Sequence, residues 1–186
     1  FQLPWMQALQ DNRVAAINNL RRLGVRRKEV GQETRRIEQR LGDLFASRGF
    51  KVLAGHVLPV SQKEGAQAEE VDLLCARDGC LLVLEVKSTY VRRSMKDAWL
   101  HRTTTLRKAG TQLRRKVGAV RARLASDTEL QRALDLAEDA TPAVIGWIVD
   151  TSIECDRERF DGFLKIALEE SLVALRDERH LLRGLS

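Results

Sequence analysis

The stretch VDLLCARDGCLLVLEVKS, residues 71–88, constrains the fold more than any other part of the sequence. It contains two runs rich in Leu and Val, separated by Asp78-Gly79, a dipeptide typical of a two-residue β-hairpin turn. If the turn closes in this way, counting back along both strands places Asp72 directly opposite Glu85. The sequence therefore predicts an antiparallel hairpin with two acidic residues at the end remote from the turn.

Three charged side chains share one face of this hairpin. Lys87 follows Glu85 by two positions, so it points to the same side as Glu85 and the facing Asp72. Two opposed carboxylates at a buried surface repel each other and lose hydration, so they require a cation. Lys87 could be that cation, giving a structural ion cluster without chemistry. A divalent metal ion could equally be that cation, with Lys87 acting on the attacking water or on a phosphate.

The remaining hairpin positions are apolar on both faces, which predicts burial on both sides. One face is predicted to hold Leu74, Ala76, Leu81 and Val83, and the other Val71, Leu73, Cys75, Leu82, Leu84 and Val86.

Helical and strand-like segments alternate along the rest of the chain. Apolar spacing predicts helices at 5–23, at Gln32–Arg48 ending at Gly49, at 96–124 with a break near Gly110, at Asp127–Asp139 with Asp127 as N-cap, and at 158–182. β-Branched and apolar runs predict a first strand at 50–60 and a strand buried on both faces at 142–150. A strand, helix, strand order implies a parallel pairing, while the hairpin is antiparallel.

These elements predict an α/β fold with a mixed central sheet flanked by helices and an extra N-terminal helix. The 186 residues suit one domain, which we place at 31–186, with 1–30 as a helical extension or linker to an upstream domain of a longer chain. No apolar run reaches the length of a bilayer span, which predicts no membrane association. The three cysteines form no CxxC pair and no cluster with zinc spacing, which favours reduced thiols in a cytoplasmic protein.

Positive charge is concentrated in one segment. Residues 92–125 carry eleven Lys or Arg side chains and one Asp, within a net charge of +6 for the chain. Such a run favours a polyanion, and DNA phosphates are the natural partner. A solvated helix face, or a helix that binds an acidic protein partner, would have a similar composition. The candidate phosphate contacts are Arg92, Arg93, Lys96, Arg102, Arg107, Lys108, Arg114, Arg115 and Lys116. The three histidines are scattered along the sequence and are interpreted as core or surface residues.

The hairpin with Asp72, Glu85 and Lys87 resembles the D-(x)n-ExK signature of the PD-(D/E)xK nuclease superfamily. It is especially similar to the Holliday-junction resolvase and nuclease-related-domain branches. In those branches a helix before the first strand carries a glutamate upstream of a Gly-Phe pair, and here Glu38 precedes Gly49-Phe50 by eleven residues. The resemblance covers roughly residues 31 to 152 and implies a restriction-endonuclease-like αβββαβ core.

Carried over residue by residue, the resemblance implies a Mg²⁺ or Mn²⁺ site and a catalytic lysine. It assigns metal binding to Asp72, Glu85, the Val86 carbonyl and Glu38, and makes Lys87 the catalytic lysine. The proline that often precedes the first acid is replaced here by Val71.

Two further helix positions enter through the resemblance. Gln112 is similar to a glutamine that some branches place near the site. The tyrosine that follows this glutamine by four residues in exonuclease-type members is Lys116 here, so that motif is incomplete. Glu33 lies on the same helix as Glu38, and the spacing to Gly49 favours Glu38.

The resemblance implies a DNA nuclease that hydrolyses phosphodiester bonds, as an endonuclease domain of a repair, recombination or restriction protein. Because several relatives act as dimers, it also allows a homodimer. The alternative is a nucleic-acid-binding or protein-docking module that has the nuclease fold without catalysis.

Overall fold

The computed structural model describes residues 27–58, 69–88, 94–137 and 141–176. The expected helix at 5–23 and the candidate contacts Arg92 and Arg93 lie outside these residues. The helical elements are α1 (Arg27–Ser47), α2 (Met95–Leu100), a π-helical segment (His101–Leu106), α3 (Arg107–Leu124), α4 (Thr128–Ala133) and α5 (Leu168–Arg176). The strands are β1 (Lys51–Leu58), β2 (Glu69–Arg77), β3 (Cys80–Lys87), β4 (Ala143–Asp150), β5 (Arg159–Phe160) and β6 (Phe163–Ala167).

The strands form one mixed sheet in the order β1-β2-β3-β4-β6-β5. β1, β2 and β3 are antiparallel neighbours, β4 is parallel to both β3 and β6, and β5 pairs with β6 in antiparallel fashion. The predicted α/β class with a mixed, helix-flanked sheet is therefore confirmed. The antiparallel half follows from the short turns, and the parallel half from the helical crossover between β3 and β4.

Helices cover both faces of the sheet, and each face has its own apolar core. On one face, Leu41 and Phe45 of α1 pack against strand residues that include Leu73 of β2 and Leu82 of β3. On the opposite face, α3 and α4 cover the sheet with Leu113, Val117, Val120, Leu124 and Leu130. The central strands are thus buried on both sides, as their near-continuous apolar sequences predicted.

The hairpin has the predicted register. Asp78 and Gly79 both have positive φ, at 48° and 75°, which is the geometry of a two-residue turn. The β2–β3 ladder runs from Arg77 opposite Cys80 back to Leu73 opposite Leu84. This register places Asp72 and Glu85 at the first position beyond the ladder.

One residue departs from the predicted faces. Val71 packs in the core beneath α3 with Leu74, rather than on the α1 side with Leu73. The change coincides with Gly55 of β1, which has a φ of 59° and lies between the pairs Ala54–Leu73 and His56–Val71. The left-handed backbone at Gly55 interrupts the regular alternation opposite Asp72.

The helix break expected near Gly110 is wrong. α3 runs through this residue, and the irregular segment lies earlier, at His101–Leu106. A Cβ atom at Gly110 would lie 2.6 Å from the Phe160 carbonyl oxygen, so the glycine allows close approach of α3 to β5.

The helix expected at 158–182 is wrong over its first half. Residues 159–167 form the β5–β6 hairpin, with Phe160 opposite Phe163, and α5 begins at Leu168. The turn is Asp161-Gly162, with φ values of 56° and 88°. The local turn signal therefore prevails over apolar spacing that also fitted a helix.

Asp127 is confirmed as an N-cap, because its Oδ1 accepts a hydrogen bond of 2.9 Å from the Leu130 N–H. The helix it caps ends at Ala133, earlier than expected. Within the described ranges, every helix is too short or too polar to span a bilayer.

Candidate active site

Asp72 and Glu85 converge on one amine, that of Lys116. Lys116 Nζ, from α3, donates to Asp72 Oδ1 at 2.8 Å and also to Glu85 Oε2. The first carboxylate comes from β2 and the second from β3, so the hairpin register brings them together. The predicted convergence of the two acids on a common cation is therefore observed, and in this structure the cation is a lysine.

The site is largely withdrawn from solvent. Glu85 is 1 % exposed and Lys116 is 5 % exposed. Burial opposes the charge on Lys116, but the nearby Asp72 and Glu85 charges outweigh it and raise the pKa of the amine. Burial, and next the Glu85 charge, raise the pKa of Asp72, while Lys116 and the Val86 N–H act in the opposite direction.

Asp72 is fixed by the backbone of the facing strand. The Val86 N–H donates a 2.7 Å hydrogen bond to Asp72 Oδ2, so the side chain bridges β2 and β3 where their ladder ends. The N–H and C=O of one strand residue point to the same edge, so the Val86 carbonyl also faces β2. In agreement, the Lys87 carbonyl points the other way and accepts a bond from Thr151 beside β4. The Val86 carbonyl is thus an additional oxygen donor on the Asp72 side.

Lys87 contacts the second oxygen of Glu85. Its Nζ donates to Glu85 Oε1 at 2.5 Å, while Oε2 of the same carboxylate faces Lys116. The Lys87 side chain is 25 % exposed, against 7 % for Lys116. Lys87 is therefore the more exposed of the two lysine side chains.

Glu38 approaches from the other face of the sheet, on α1. Burial, followed by the charges of Asp72 and Glu70, raises its pKa to about 7. Since Asp72 is one of these causes, Glu38 lies within the electrostatic reach of Asp72. The position of Glu38 follows from α1 running antiparallel to β1, which brings the middle of the helix towards the Asp72 end of β2.

The remaining candidates have different surroundings. Gln112 is half-buried on α3, one helical turn before Lys116 and hence on the same side. Exposed basic side chains do occupy this region, namely Lys96, Arg102, Arg107, Lys108, Arg114 and Arg115. Three of them are paired with acidic residues: Arg102 with Glu158, Arg114 with Asp161 and Arg115 with Glu69.

Lys116 is a correction to the expected phosphate contacts. Its place in the basic run suggested an exposed side chain, but it lies within the apolar stripe of α3, between Leu113 and Val120. The i, i+3 and i, i+4 relations to these buried residues turn Lys116 towards the sheet. This spacing is a signal that sequence reasoning could have used.

A second buried polar cluster adjoins Lys87 at the end of β4. Asp150 Oδ2 lies 2.7 Å from His101 Nε2 and accepts a 2.5 Å bond from Ser152 Oγ. Lys165 is also fully buried and donates to the Ser152 carbonyl, and burial lowers the pKa of its amine. Sequence reasoning treated His101 as an isolated residue. The sequence signal for this cluster is Asp150, an acidic residue at the end of an otherwise apolar strand, which requires a buried polar partner.

The donor set fits a divalent cation in part. Two carboxylates converge on one positive group, with the Val86 carbonyl on the same side, and oxygen donors of this kind suit Mg²⁺ and Mn²⁺. Across residues 27–58, 69–88, 94–137 and 141–176, no three or more His, Cys, Asp and Glu side chains are grouped to hold a metal ion. Glu38 lies close enough to Asp72 for the charge of Asp72 to raise the pKa of Glu38, and its role as a metal ligand stays a prediction.

No family model, curated protein or solved structure matches the chain.

Proposed function

We propose that the protein is a deoxyribonuclease of the PD-(D/E)xK type, dependent on Mg²⁺ or Mn²⁺, with a restriction-endonuclease-like core. One observation carries the proposal. Asp72 and Glu85, from facing strands, converge on the Lys116 amine, while Lys87 donates a hydrogen bond to Oε1 of Glu85, the oxygen that Lys116 does not contact. A buried carboxylate beside a partly buried one, with a more exposed lysine at the rim, is an arrangement suited to phosphodiester hydrolysis.

Each residue has a distinct role in this proposal. Asp72 and Glu85 hold the metal ion with the Val86 carbonyl, and Asp72 is kept in place by the Val86 N–H. When bound, the metal ion lowers the pKa of a water ligand and stabilises charge on the phosphate. Lys87 orients the attacking water or stabilises the developing negative charge, because its amine is accessible and anchored on Glu85.

The substrate is proposed to be DNA, held by its phosphates. The exposed basic residues of α2, α3 and the π-helical segment lie on the elements that follow β3, and β3 ends at Lys87. Phosphate contacts of this kind release counterions, so binding should weaken steeply as salt concentration rises. The contacts position the duplex without reading its sequence.

Cleavage assays on linear, circular and junction DNA test the proposal. Activity is expected with Mg²⁺ or Mn²⁺ and none with EDTA. The variants Asp72→Ala, Glu85→Ala and Lys87→Ala should each reduce the cleavage rate by about 100-fold or more while DNA affinity is largely retained.

Two exposed positions supply matched controls. Asp43→Ala removes an exposed carboxylate from α1, and Lys51→Ala removes an exposed amine at the turn end of β1. Both variants should cleave at the wild-type rate. Activity that persists in all three site variants would refute the proposal.

A non-catalytic DNA-binding module of the same fold is the second candidate, and Lys116 favours it. With Lys116 in place, the two carboxylates are already satisfied by an internal cation. Calorimetric titration with Mn²⁺ separates the candidates. Binding that is lost in Asp72→Asn supports the nuclease, and salt-dependent DNA binding without any cleavage supports the module.

A further inference from the structure

Lys116 is the one amine that contacts both carboxylates in the described part of the site. Lys87 touches Glu85 through Oε1, whereas Lys116 touches Glu85 through Oε2 and Asp72 through Oδ1. The position between the two acids is therefore held by Lys116, and that is the position in which one cation meets both carboxylates.

Formal charge leaves no room for a second cation there. Asp72 and Glu85 supply two negative charges, and Lys87 and Lys116 supply two positive ones. The four groups are neutral together, so a dication added to them would be repelled by the ammonium beside it. Once the Lys116 amine has left, the same oxygens present a net negative charge to an incoming ion.

The amine can leave without moving the helix. Leu113, Val117 and Val120 anchor α3 in the core, and these contacts do not involve the Lys116 ammonium group. A lysine reaches its partners through a flexible four-carbon chain, which can carry the ammonium group elsewhere while the stem stays packed.

We infer that Lys116 occupies the cation position between Asp72 and Glu85, and that a divalent ion binds there by displacing its amine. Lys116 is thus a positioning residue that keeps the carboxylate pair together in the metal-free protein and competes with the metal ion. The inference rests on the proposed metal site and adds an internal competitor to it.

Mn²⁺ binding to the purified chain, measured by calorimetry and by the electron paramagnetic resonance of free Mn²⁺, provides the test. Lys116→Met and Lys116→Gln should bind Mn²⁺ about tenfold more tightly than wild type, or more. The glutamine keeps hydrogen-bond donors near the acids without the charge. Lys51→Met, which removes an exposed lysine, should leave Mn²⁺ affinity unchanged.

A further substitution locates the gain. Adding Asp72→Asn to Lys116→Met should abolish the tighter binding, because one of the two carboxylates is removed. If the tighter binding survives Asp72→Asn, the ion binds elsewhere and the inference is wrong. Folded Lys116 variants that bind Mn²⁺ no more tightly than wild type would also overturn it.

Loss of Lys116 leaves the buried Glu85 and the partly buried Asp72 without their shared cation, so folding must be followed as well. If Lys116→Met is unfolded in EDTA, thermal denaturation across a Mn²⁺ series should show that the ion restores the fold. A variant that stays unfolded at every Mn²⁺ concentration contradicts the inference.

The outcomes for this inference and for the nuclease proposal are separable. Tighter Mn²⁺ binding by the Lys116 variants, with no DNA cleavage by any form, upholds the displacement and refutes the nuclease. Cleavage by wild type, with no gain in Mn²⁺ affinity in the variants, upholds the nuclease and refutes the displacement.

Discussion

Lys87 and Asp150 are register partners on the parallel strands β3 and β4, and the Thr151 N–H donates a 3.0 Å hydrogen bond to the Lys87 carbonyl oxygen. Register partners in a sheet place their side chains on the same face. The cluster of Asp150, His101 and Ser152 therefore adjoins Lys87 and supports the strand end that carries it. Lys87 is positioned by Glu85 on its own strand and by the end of β4 beside it.

Asp150→Asn is expected to destabilise the fold by about 3 kcal/mol. The fully buried Asp150 carboxylate lies 2.7 Å from His101 and accepts from Ser152, and an amide cannot serve both groups equally well. Urea unfolding gives the free energy. Asp135→Asn is the control, since Asp135 forms an exposed pair with Lys51 and should change stability by less than about 0.5 kcal/mol. Equal effects of the two substitutions would contradict the structural role of Asp150.

The raised pKa of Glu38 predicts a pH-dependent stability. The folded state holds the Glu38 proton up to about pH 7, whereas the ordinary pKa of this carboxyl group is 4.5. Between these values the folded state binds more protons than the unfolded chain, so the free energy of unfolding falls as pH rises through this window. Glu38→Gln removes the effect. In EDTA the variant should match wild type near the lower value and exceed it above pH 7 by on the order of 1 kcal/mol, allowing for solvent screening.

Urea unfolding at several pH values measures this difference. Asp43→Asn, an exposed substitution on the same helix, should follow the wild-type pH profile. A Glu38→Gln variant whose pH profile also runs parallel to wild type would show that burial and the Asp72 charge do not raise the pKa of Glu38.

Gly110→Ala is expected to destabilise the protein by about 2 kcal/mol. The new methyl group would lie 2.6 Å from the Phe160 carbonyl oxygen, so α3 must shift away from β5. Gly118 lies on the same helix, and a Cβ there has no neighbour within 4 Å, so Gly118→Ala should stabilise by up to about 1 kcal/mol through helix propensity. Thermal unfolding of the pair checks the prediction. Changes of the same sign would show that α3 does not pack closely at Gly110.

The hairpin and the convergence of its acids could be predicted because both follow from local rules. The Asp78-Gly79 turn sets the register, and strand alternation then decides which side chains share a face. Asp72, Glu85 and Lys87 lie within eight positions of that turn, so no long-range information was needed to bring them together.

The misplaced elements depend on competing or long-range contacts. Asp161-Gly162 is the same turn dipeptide, but Phe160 and Phe163 also fitted a helical stripe, and a two-residue strand adds little signal. The sequence predicts a helix break at Gly110, but the glycine is needed there because α3 packs closely against the Phe160 backbone, fifty residues later in the chain. Local sequence patterns do not predict such contacts, because they form only when distant segments pack together in the folded sheet.

The two acids come from a hairpin, Lys116 from a helix on one side of the sheet, and Glu38 from a helix on the other. A nascent chain that ends before residue 116 contains Lys87 as a counter-charge for Glu85, but it lacks the amine that bridges Glu85 and Asp72. The carboxylate pair therefore gains its shared internal cation only when α3 packs on the sheet, which links the charge balance of the hairpin to the docking of a different layer.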